Sequence, residues 1–164
     1  MLYELALLFI LTFIPALELR YTIPAGILAG KINLPFGMSL TGYGLPWYYV
    51  VPVVFIANFL VGPLMYFILH YVVKLFLHFK WFSNFYYKVL ERSQRKVKES
   101  VDKYGIWGVA IFIGVPLPGT GVYTGAIGSY ALGMSFKKFI IADIVGVLIA
   151  GTAVTLLSLG VLSL

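Results

Sequence analysis

Two charged residues interrupt the apolar N-terminal part of the chain, and their types could do chemistry. Glu18 and Arg20 are the only charged residues between Leu5 and Gly30. An ionisable group inside a membrane segment is costly, and such groups are functional candidates by default. Glu18 could bind and release a proton, and Arg20 could hold an anion through its planar guanidinium. The alternative is a pair that neutralises itself at the headgroup level.

A second candidate is a segment rich in proline and glycine at residues 116–121. Its two prolines cannot continue a helix, so the helix that follows begins with unpaired backbone N–H groups. Glycines let an anion approach such groups closely. No Gly-Lys-Ser/Thr follows, so this is not a nucleotide-binding Walker loop. We predict a cradle for an anionic group such as phosphate, formed by Pro116, Pro118, Gly119, Thr120 and Gly121.

Two polar residues interrupt the later apolar segments. Asp143 is the only charged residue after Lys138, and it lies about 8 Å further along a helix. It fits a relay or coupling role, or else pairing with a lysine at the interface. Asn58 lies about 17 Å beyond Trp47, near the predicted membrane midplane. A hydrogen bond between helices is the favoured interpretation of Asn58, and substrate contact is the alternative.

Metal and covalent chemistry receive no support from the residue types. His70 and His78 are eight residues apart without a third ligand nearby, and the chain has no cysteine. No nucleophile stands beside a base and a third orienting group. We therefore predict no metal site, no cofactor and no enzymatic activity.

The composition indicates an integral membrane protein. Of the 164 residues, 61% are hydrophobic and only 11% charged, against roughly 25% charged in soluble domains. A globule of this size cannot hide so much apolar surface. This excludes a soluble enzyme or a free nucleic-acid binder. Most of the net charge of +6 falls between residues 74 and 103, which the positive-inside rule places at the cytoplasmic face of the cell membrane, beside lipid headgroups.

The N-terminal apolar stretch, Leu2 to Gly30, is too short for two membrane crossings, which need about 40 residues. A helix broken near Pro15 to Arg20 gives two short limbs, and this predicts a re-entrant hairpin. The alternative is one full span from about residue 2 to residue 20.

The rest of the chain divides by hydropathy and charge. The segment from 106 to 134 repeats the pattern of a broken apolar hairpin, and the segment from 82 to 104 has opposite charges four residues apart on an amphipathic helix. The predicted elements are a turn-rich loop at 31–46, a full span at 47–79, a surface amphipathic helix at 82–104 with Gly105 as its C-cap, a second hairpin at 106–134, and a full span at 139–162.

One pattern recurs within the chain. The residues Tyr-Thr-x-x-x-Gly-x-x-Ala at 21–29 appear again at 123–131, each time after a proline-containing break and before a full span. Because the cytoplasmic linker reverses the direction of the second copy, the two repeats are predicted to be inverted. Inverted pairs of broken helices are typical of secondary transporters. The predicted fold is an all-α membrane domain with repeat one at 1–80, the linker at 81–104 and repeat two at 105–164. Chance, or a shared demand of helix packing, is the alternative.

Two motifs carry a family resemblance. The segments from Pro15 to Gly26, with Glu-x-Arg-x-x-x-Pro, and from Val115 to Ala126, with Pro-x-Pro-Gly-Thr-Gly, resemble the family labelled "putative small multi-drug export protein". More distantly, the chain is similar to the DedA/VTT superfamily of lipid and polyprenyl-phosphate transporters, which have two opposed re-entrant hairpins. That resemblance implies transport and an acidic role for Glu18. The arginines of the second DedA hairpin are absent here, where Thr120, Val122 and Thr124 stand.

Three functional hypotheses follow. The preferred one is a transporter, driven by protons, that moves a lipid-linked or amphipathic anion between leaflets. The second is export of small hydrophobic cations, for which Glu18 and Asp143 would be counter-charges. The third is a non-transporting membrane scaffold that binds anionic lipid or a partner. With only two full spans to pack, a homodimer is expected, and nucleic acid is not a partner.

Overall fold

The computed structural model describes residues 1–15, 17–33, 39–76, 105–116 and 120–162, together with residues 78, 80 and 83. The predicted amphipathic helix and cytoplasmic linker lie outside the described residues, apart from residue 83. In chain order the elements are helix α1 (Leu2–Thr12), helix α2 (Glu18–Ile27), strand β1 (Ala29–Asn33), strand β2 (Ser39–Tyr43), helix α3 (Trp47–Phe76), helix α4 (Gly105–Gly114), helix α5 (Val122–Ala131) and helix α6 (Phe136–Leu162).

Two helices, α3 and α6, are long and apolar enough to cross a membrane. Their outer faces expose large apolar side chains, such as Phe67 and Tyr71 on α3 and Leu156 and Leu157 on α6. A surface of this kind is stable against lipid and unfavourable against water. The two predicted long apolar helices are thus confirmed.

The remaining helices are short and come in two consecutive pairs, α1 with α2 and α4 with α5. Each has 10 or 11 residues, so each is about 15 to 17 Å long, about half of a typical hydrocarbon core. The sequence placed the first break at Pro15 to Arg20, but α2 begins at Glu18. The two charged residues therefore belong to the first helical turn, because Pro15 blocks a helix only at and before its own position. Gly105, which the sequence predicts as the C-cap of the amphipathic helix, is the first residue of α4 in the part of the chain that the structure describes.

The turn-rich loop predicted at 31–46 contains a two-stranded sheet within an otherwise helical fold. Strands β1 and β2 pair antiparallel, with Lys31 opposite Thr41. Local composition could not reveal this sheet, because hydrogen bonds between the strands, rather than residue propensity, stabilise it. The chain then returns to α2, where the Leu45 N–H donates to the Gly26 carbonyl at 2.8 Å.

The helices pack in a crossed arrangement. Helix α1 packs against α3, and α4 packs against α6, where Gly114 contacts Ile149 and Gly146 contacts Ile113. The second short helix of each pair also contacts the other long helix: α2 packs on α6, and α5 packs on α3. The core between them contains fully buried apolar side chains, the largest being Phe139, Leu8, Leu19, Ile23 and Ile113. Both helix breaks are thereby brought to one place.

Candidate functional site at the junction of the helix breaks

The residues of the two helix breaks contact each other through the side chain of Arg20. Its guanidinium donates hydrogen bonds to Thr120 Oγ1 at 2.8 Å and to the Val115 carbonyl at 3.3 Å. The Thr120 hydroxyl donates to the same carbonyl at 2.7 Å. Val115 directly follows α4, where the last carbonyls of a helix lack partners within the helix. Arg20, from the first helix break, therefore provides a hydrogen-bond donor to the carbonyl that follows α4 at the second break.

A second hydrogen bond crosses the junction in the opposite sense. The Tyr123 hydroxyl, at the start of α5, donates to the carbonyl of Phe13, which directly follows α1, at 2.5 Å. The two contacts are reciprocal: in each, a side chain near the start of one pair's second helix satisfies a carbonyl at the end of the other pair's first helix. We define these residues, together with Glu18 and Gly121, as the junction.

Glu18 supplies the negative charge of the junction. Its side chain is buried, and its carboxylate accepts hydrogen bonds from the backbone N–H groups of Val122 and Tyr123. These N–H groups begin α5, where the helix dipole also favours an anion. The Arg20 guanidinium attracts the same carboxylate. Glu18 thus caps a helix that lies more than 100 residues away in sequence.

The backbone of Glu18 is strained. Its φ of +43° lies in the left-handed region, where a residue other than glycine costs about 1 to 2 kcal/mol. No other described residue except glycine has a positive φ. The hydrogen bonds of the carboxylate and its attraction to Arg20 offset this cost. Strain of this kind is concentrated at functional sites.

Gly121 lets the carboxylate reach the helix. Its φ is +125°, and a Cβ atom at this position would lie 2.5 Å from Glu18 Oε2. The carboxylate of the protein's own Glu18 lies against Gly121 in the segment predicted to cradle an anionic group, and binding of an external anion there stays a prediction. Among the other predicted members of this cradle, Thr120 binds Arg20 and Pro116 is exposed, while Pro118 and Gly119 lie outside the described residues.

Beside the junction, two buried hydroxyls join α1 to α2. Thr12 Oγ1 lies 2.7 Å from the Leu8 carbonyl oxygen and 3.0 Å from Thr22 Oγ1, and Thr22 Oγ1 lies 2.7 Å from the Glu18 carbonyl oxygen, so two hydroxyl protons are shared among three contacts. Both threonines are fully buried. This polar contact holds α1 and α2 together next to the first helix break.

Asp143 and Asn58 are not part of the junction. Asp143 on α6 is completely buried against Gly62 of α3, and neither of its carboxylate oxygens has a hydrogen-bond partner among the described residues. Asn58 lies one turn from Gly62 on α3, is 1% exposed, and its Oδ1 also lacks a partner there. The Glu18 carboxylate is nevertheless near enough to interact electrostatically with Asp143.

Sequence reasoning missed three contributors. Tyr123 belongs to the repeated pattern, and its conspicuous recurrence was the available signal for a role. Gly62, in the interior of α3, is a small residue whose partner could not be known without the packing. The carbonyl of Val115 has no side-chain signature at all. In the described ranges there is no cluster of three His, Asp or Glu residues that could hold a metal ion.

The comparisons with known proteins agree with the sequence motifs. Neither the curated proteins nor the solved structures contain a significant match to this chain. One protein family, described as "Putative small multi-drug export protein", matches residues 18–153. This match begins at Glu18 and includes the residues of the junction other than Phe13, as well as Asp143. The helical fold, the two long apolar helices and this match together identify the chain as a membrane protein of the small multi-drug export family.

Proposed function

We propose that the protein is a multi-pass transporter of the cell membrane that moves an amphipathic or lipid-linked anion together with a proton bound at Glu18. The carboxylate of Glu18 on the N-terminus of α5 is the observation that carries this proposal. The export-family membership supports transport in general terms.

The junction has the chemistry of an anion receptor. Two backbone N–H groups, a helix dipole and the Arg20 guanidinium all act on one carboxylate. A substrate carboxylate or phosphate would need the same partners, so it would compete with Glu18 for them. The DedA-like arginines are missing from the second break, but Arg20 reaches Thr120 from the first break and brings a cation to the same place.

Protonation of Glu18 provides the coupling step. The neutral acid loses its attraction to Arg20 and to the helix N-terminus, and its strained backbone then favours departure from the cradle. The vacated N–H groups and Arg20 become available to an external anion. Loss of the proton restores the charge on Glu18, which displaces the substrate. The proton on Glu18 and the anion are therefore bound at the same time, and the two move in the same direction.

The crossed packing favours an inverted-repeat transporter in which both breaks are re-entrant. The pairs α1–α3 and α4–α6 have equivalent contacts, as do α2–α6 and α5–α3. The reciprocal hydrogen bonds of Arg20 and Tyr123 have the same pseudo-twofold relation. In such transporters one repeat rocks against the other around a central site. Here, the opposed hairpin tips would form that site.

The test is flux in proteoliposomes with an imposed pH gradient. The probes are a fluorescent short-chain phosphatidic acid and a short-chain polyprenyl phosphate. Glu18→Gln should lose the response to the gradient, because glutamine resembles the permanently protonated form. Glu4→Gln is the matched control, since Glu4 is an acid of α1 whose carboxylate pairs with the N-terminal amine outside the junction. Wild-type coupling in Glu18→Gln would reject this role for Glu18.

Arg20 provides a second arm of the same experiment. Arg20→Ala should weaken anion transport at least tenfold at subsaturating probe, because it removes the only cation that bonds to both Thr120 and Val115 in the described residues. Arg20→Lys should retain part of the charge but lose the forked geometry. Equal flux in all three proteins would exclude an anion receptor at the junction.

A second candidate function is export of small hydrophobic cations. The observation that favours it is Asp143, a buried carboxyl group without a hydrogen-bond partner among the described residues. Efflux of ethidium and of tetraphenylphosphonium from the same liposomes measures it. Loss of cation efflux in Asp143→Asn, with anion flux absent from wild type, would favour this function. Liposomes inert to every probe would favour the non-transporting scaffold.

A further inference from the structure

The interface between α3 and α6 contains polar atoms without partners. Asp143 is 0% exposed and Asn58 is 1% exposed, and three of their oxygen atoms have no hydrogen bond from any described residue. Buried polar groups in folded proteins are nearly always hydrogen-bonded, and each exception needs an explanation. Two such exceptions on facing helices point to a site that binds a proton or a small cation.

The position of Asp143 is deep in the helix bundle. It lies seven residues after the start of α6, about 11 Å along the axis. Its carboxyl group lies directly on the backbone of Gly62, near the middle of α3, and a Cβ atom at Gly62 would overlap it. Asn58 lies on the same face of α3, one turn away. The absence of a side chain at residue 62 creates the space that the carboxyl group occupies.

The charges around Asp143 provide no counter-ion by hydrogen bonding. Helices α2, α3, α4 and α5 all pack on α6. Among the described residues, the titratable or hydrogen-bonding side chains of these helices that are at least partly buried include Glu18, Arg20 and Thr22 of α2, Asn58 and Tyr66 of α3, and Tyr123 and Ser129 of α5, and α6 itself carries Lys137 and Lys138 near its start. None of these groups donates a hydrogen bond to Asp143. Glu18, the one group with a resolved electrostatic effect on Asp143, has the same sign of charge.

An ionised carboxylate in this position would be very unfavourable. Transfer of an unpaired charge into an apolar interior costs so much that such groups become neutral instead. A proton on Asp143 would remove the charge and supply the donor that this interface lacks, with Asn58 Oδ1 as a potential acceptor. A calcium or magnesium ion takes about six or more oxygen ligands, and the described residues offer three unpartnered oxygens here.

We propose that Asp143, with Asn58 beside it, is a second proton-binding site, buried between α3 and α6 and separate from Glu18. The two carboxyl groups then carry one negative charge between them. Arg20 and the N–H groups of α5 favour the charge on Glu18, whereas Asp143 has no hydrogen-bond donor among the described residues and keeps the proton. Neutralisation of Glu18 removes the repulsion and lets Asp143 release its proton, so the two sites titrate as a coupled pair.

The test is chemical labelling of the full-length protein with dicyclohexylcarbodiimide, which reacts with protonated carboxyl groups in apolar surroundings. Peptide mass spectrometry then locates the modification. At neutral pH we expect Asp143 to be modified at least tenfold faster than Glu18, and the rate should fall as pH rises. Failure of Asp143 to react at any pH, or preferential reaction of Glu18, would overturn the proposal. Labelling needs no substrate and no flux, so its result is independent of the proposed transport function.

Two controls distinguish the ligand and the residue. The labelling rate of Asp143 should be the same in sodium chloride and in choline chloride at equal ionic strength. A slower rate in sodium chloride would mean that the site binds a sodium ion instead of a proton, and would overturn the proposal. Infrared spectroscopy should detect a protonated carboxylic acid band in wild type and in Glu4→Gln that is lost in Asp143→Asn. Persistence of the whole band in Asp143→Asn would assign the proton to another group and reject the site.

Discussion

The carboxylates of Glu18 and Asp143 both lie directly on the backbone of a glycine, but their surroundings differ. Gly121 precedes α5, so the N–H groups beside it are free to donate, and Glu18 accepts two of them. Gly62 lies in the interior of α3, where the backbone N–H groups already bond within the helix, and Asp143 accepts none. A helix break therefore stabilises a charge that a continuous helix leaves without a partner. A carboxyl group therefore has backbone hydrogen-bond donors at one glycine and none at the other, where we propose that it is protonated.

The largest loss of stability is expected from a substitution that prevents the Glu18 carboxylate from reaching the start of α5. In Gly121→Ala, a Cβ atom would collide with the Glu18 carboxylate, and alanine would also have to adopt a φ of +125°. The loss of charge-assisted hydrogen bonds and the backbone strain should lower the free energy of unfolding by about 3 kcal/mol. Denaturation by sodium dodecyl sulfate in mixed micelles measures this.

Gly128→Ala is the matched control for that variant. Gly128 lies in the same helix, α5, has no positive φ, and has nothing within 4 Å of a new Cβ atom. Replacement there should leave stability unchanged or raise it by up to about 1 kcal/mol, since alanine favours helices. Equal stability of the two variants would mean that the Glu18 carboxylate does not need a glycine at residue 121 to reach the start of α5.

A smaller loss is expected at the continuous helix. Gly62→Ala places a methyl group on the Asp143 carboxyl, and overpacking of this kind costs about 1 to 3 kcal/mol. The double variant with Asp143→Ala should recover at least half of that loss, because the colliding group is removed. Gly108→Ala, where a Cβ atom meets nothing within 4 Å, is the control. If the losses of stability in the two single variants simply add in the double variant, Gly62 and Asp143 do not interact.

The smallest effect is expected at the reciprocal hydrogen bond. Tyr123→Phe leaves the Phe13 carbonyl without its donor and should cost about 1 kcal/mol. Tyr66→Phe removes a hydroxyl that donates to the Met134 carbonyl, away from the junction, at a similar cost. Only the change at Tyr123 should also alter the pH response of flux. If both variants alter it equally, the junction has no special part in coupling.

Much of this arrangement could be predicted from the sequence, but for identifiable reasons not all of it. Hydropathy and proline positions predicted both breaks and both long helices, because these depend on local composition. The contact between Gly121 and Glu18 could not be predicted, because the two residues are 103 positions apart and only the packing of α2 near α5 brings them together. The β1–β2 sheet was missed for a similar reason: its pairing is not encoded in turn propensity. The unpartnered state of Asp143 depends on which residue of α3 lies opposite, and here that residue is Gly62.

The contact between Tyr123 and Phe13 also constrains how the protein is made. The two residues are 110 positions apart, and a ribosome adds roughly 5 to 20 residues per second. For about 5 to 20 seconds after the first break is synthesised, its carbonyl therefore has no partner in the chain. An unsatisfied carbonyl is not tolerated in lipid, so α1 and α2 must wait at a hydrated or protein-lined position during translation. The N-terminal helices, although made first, are then among the last elements to reach their final depth in the membrane.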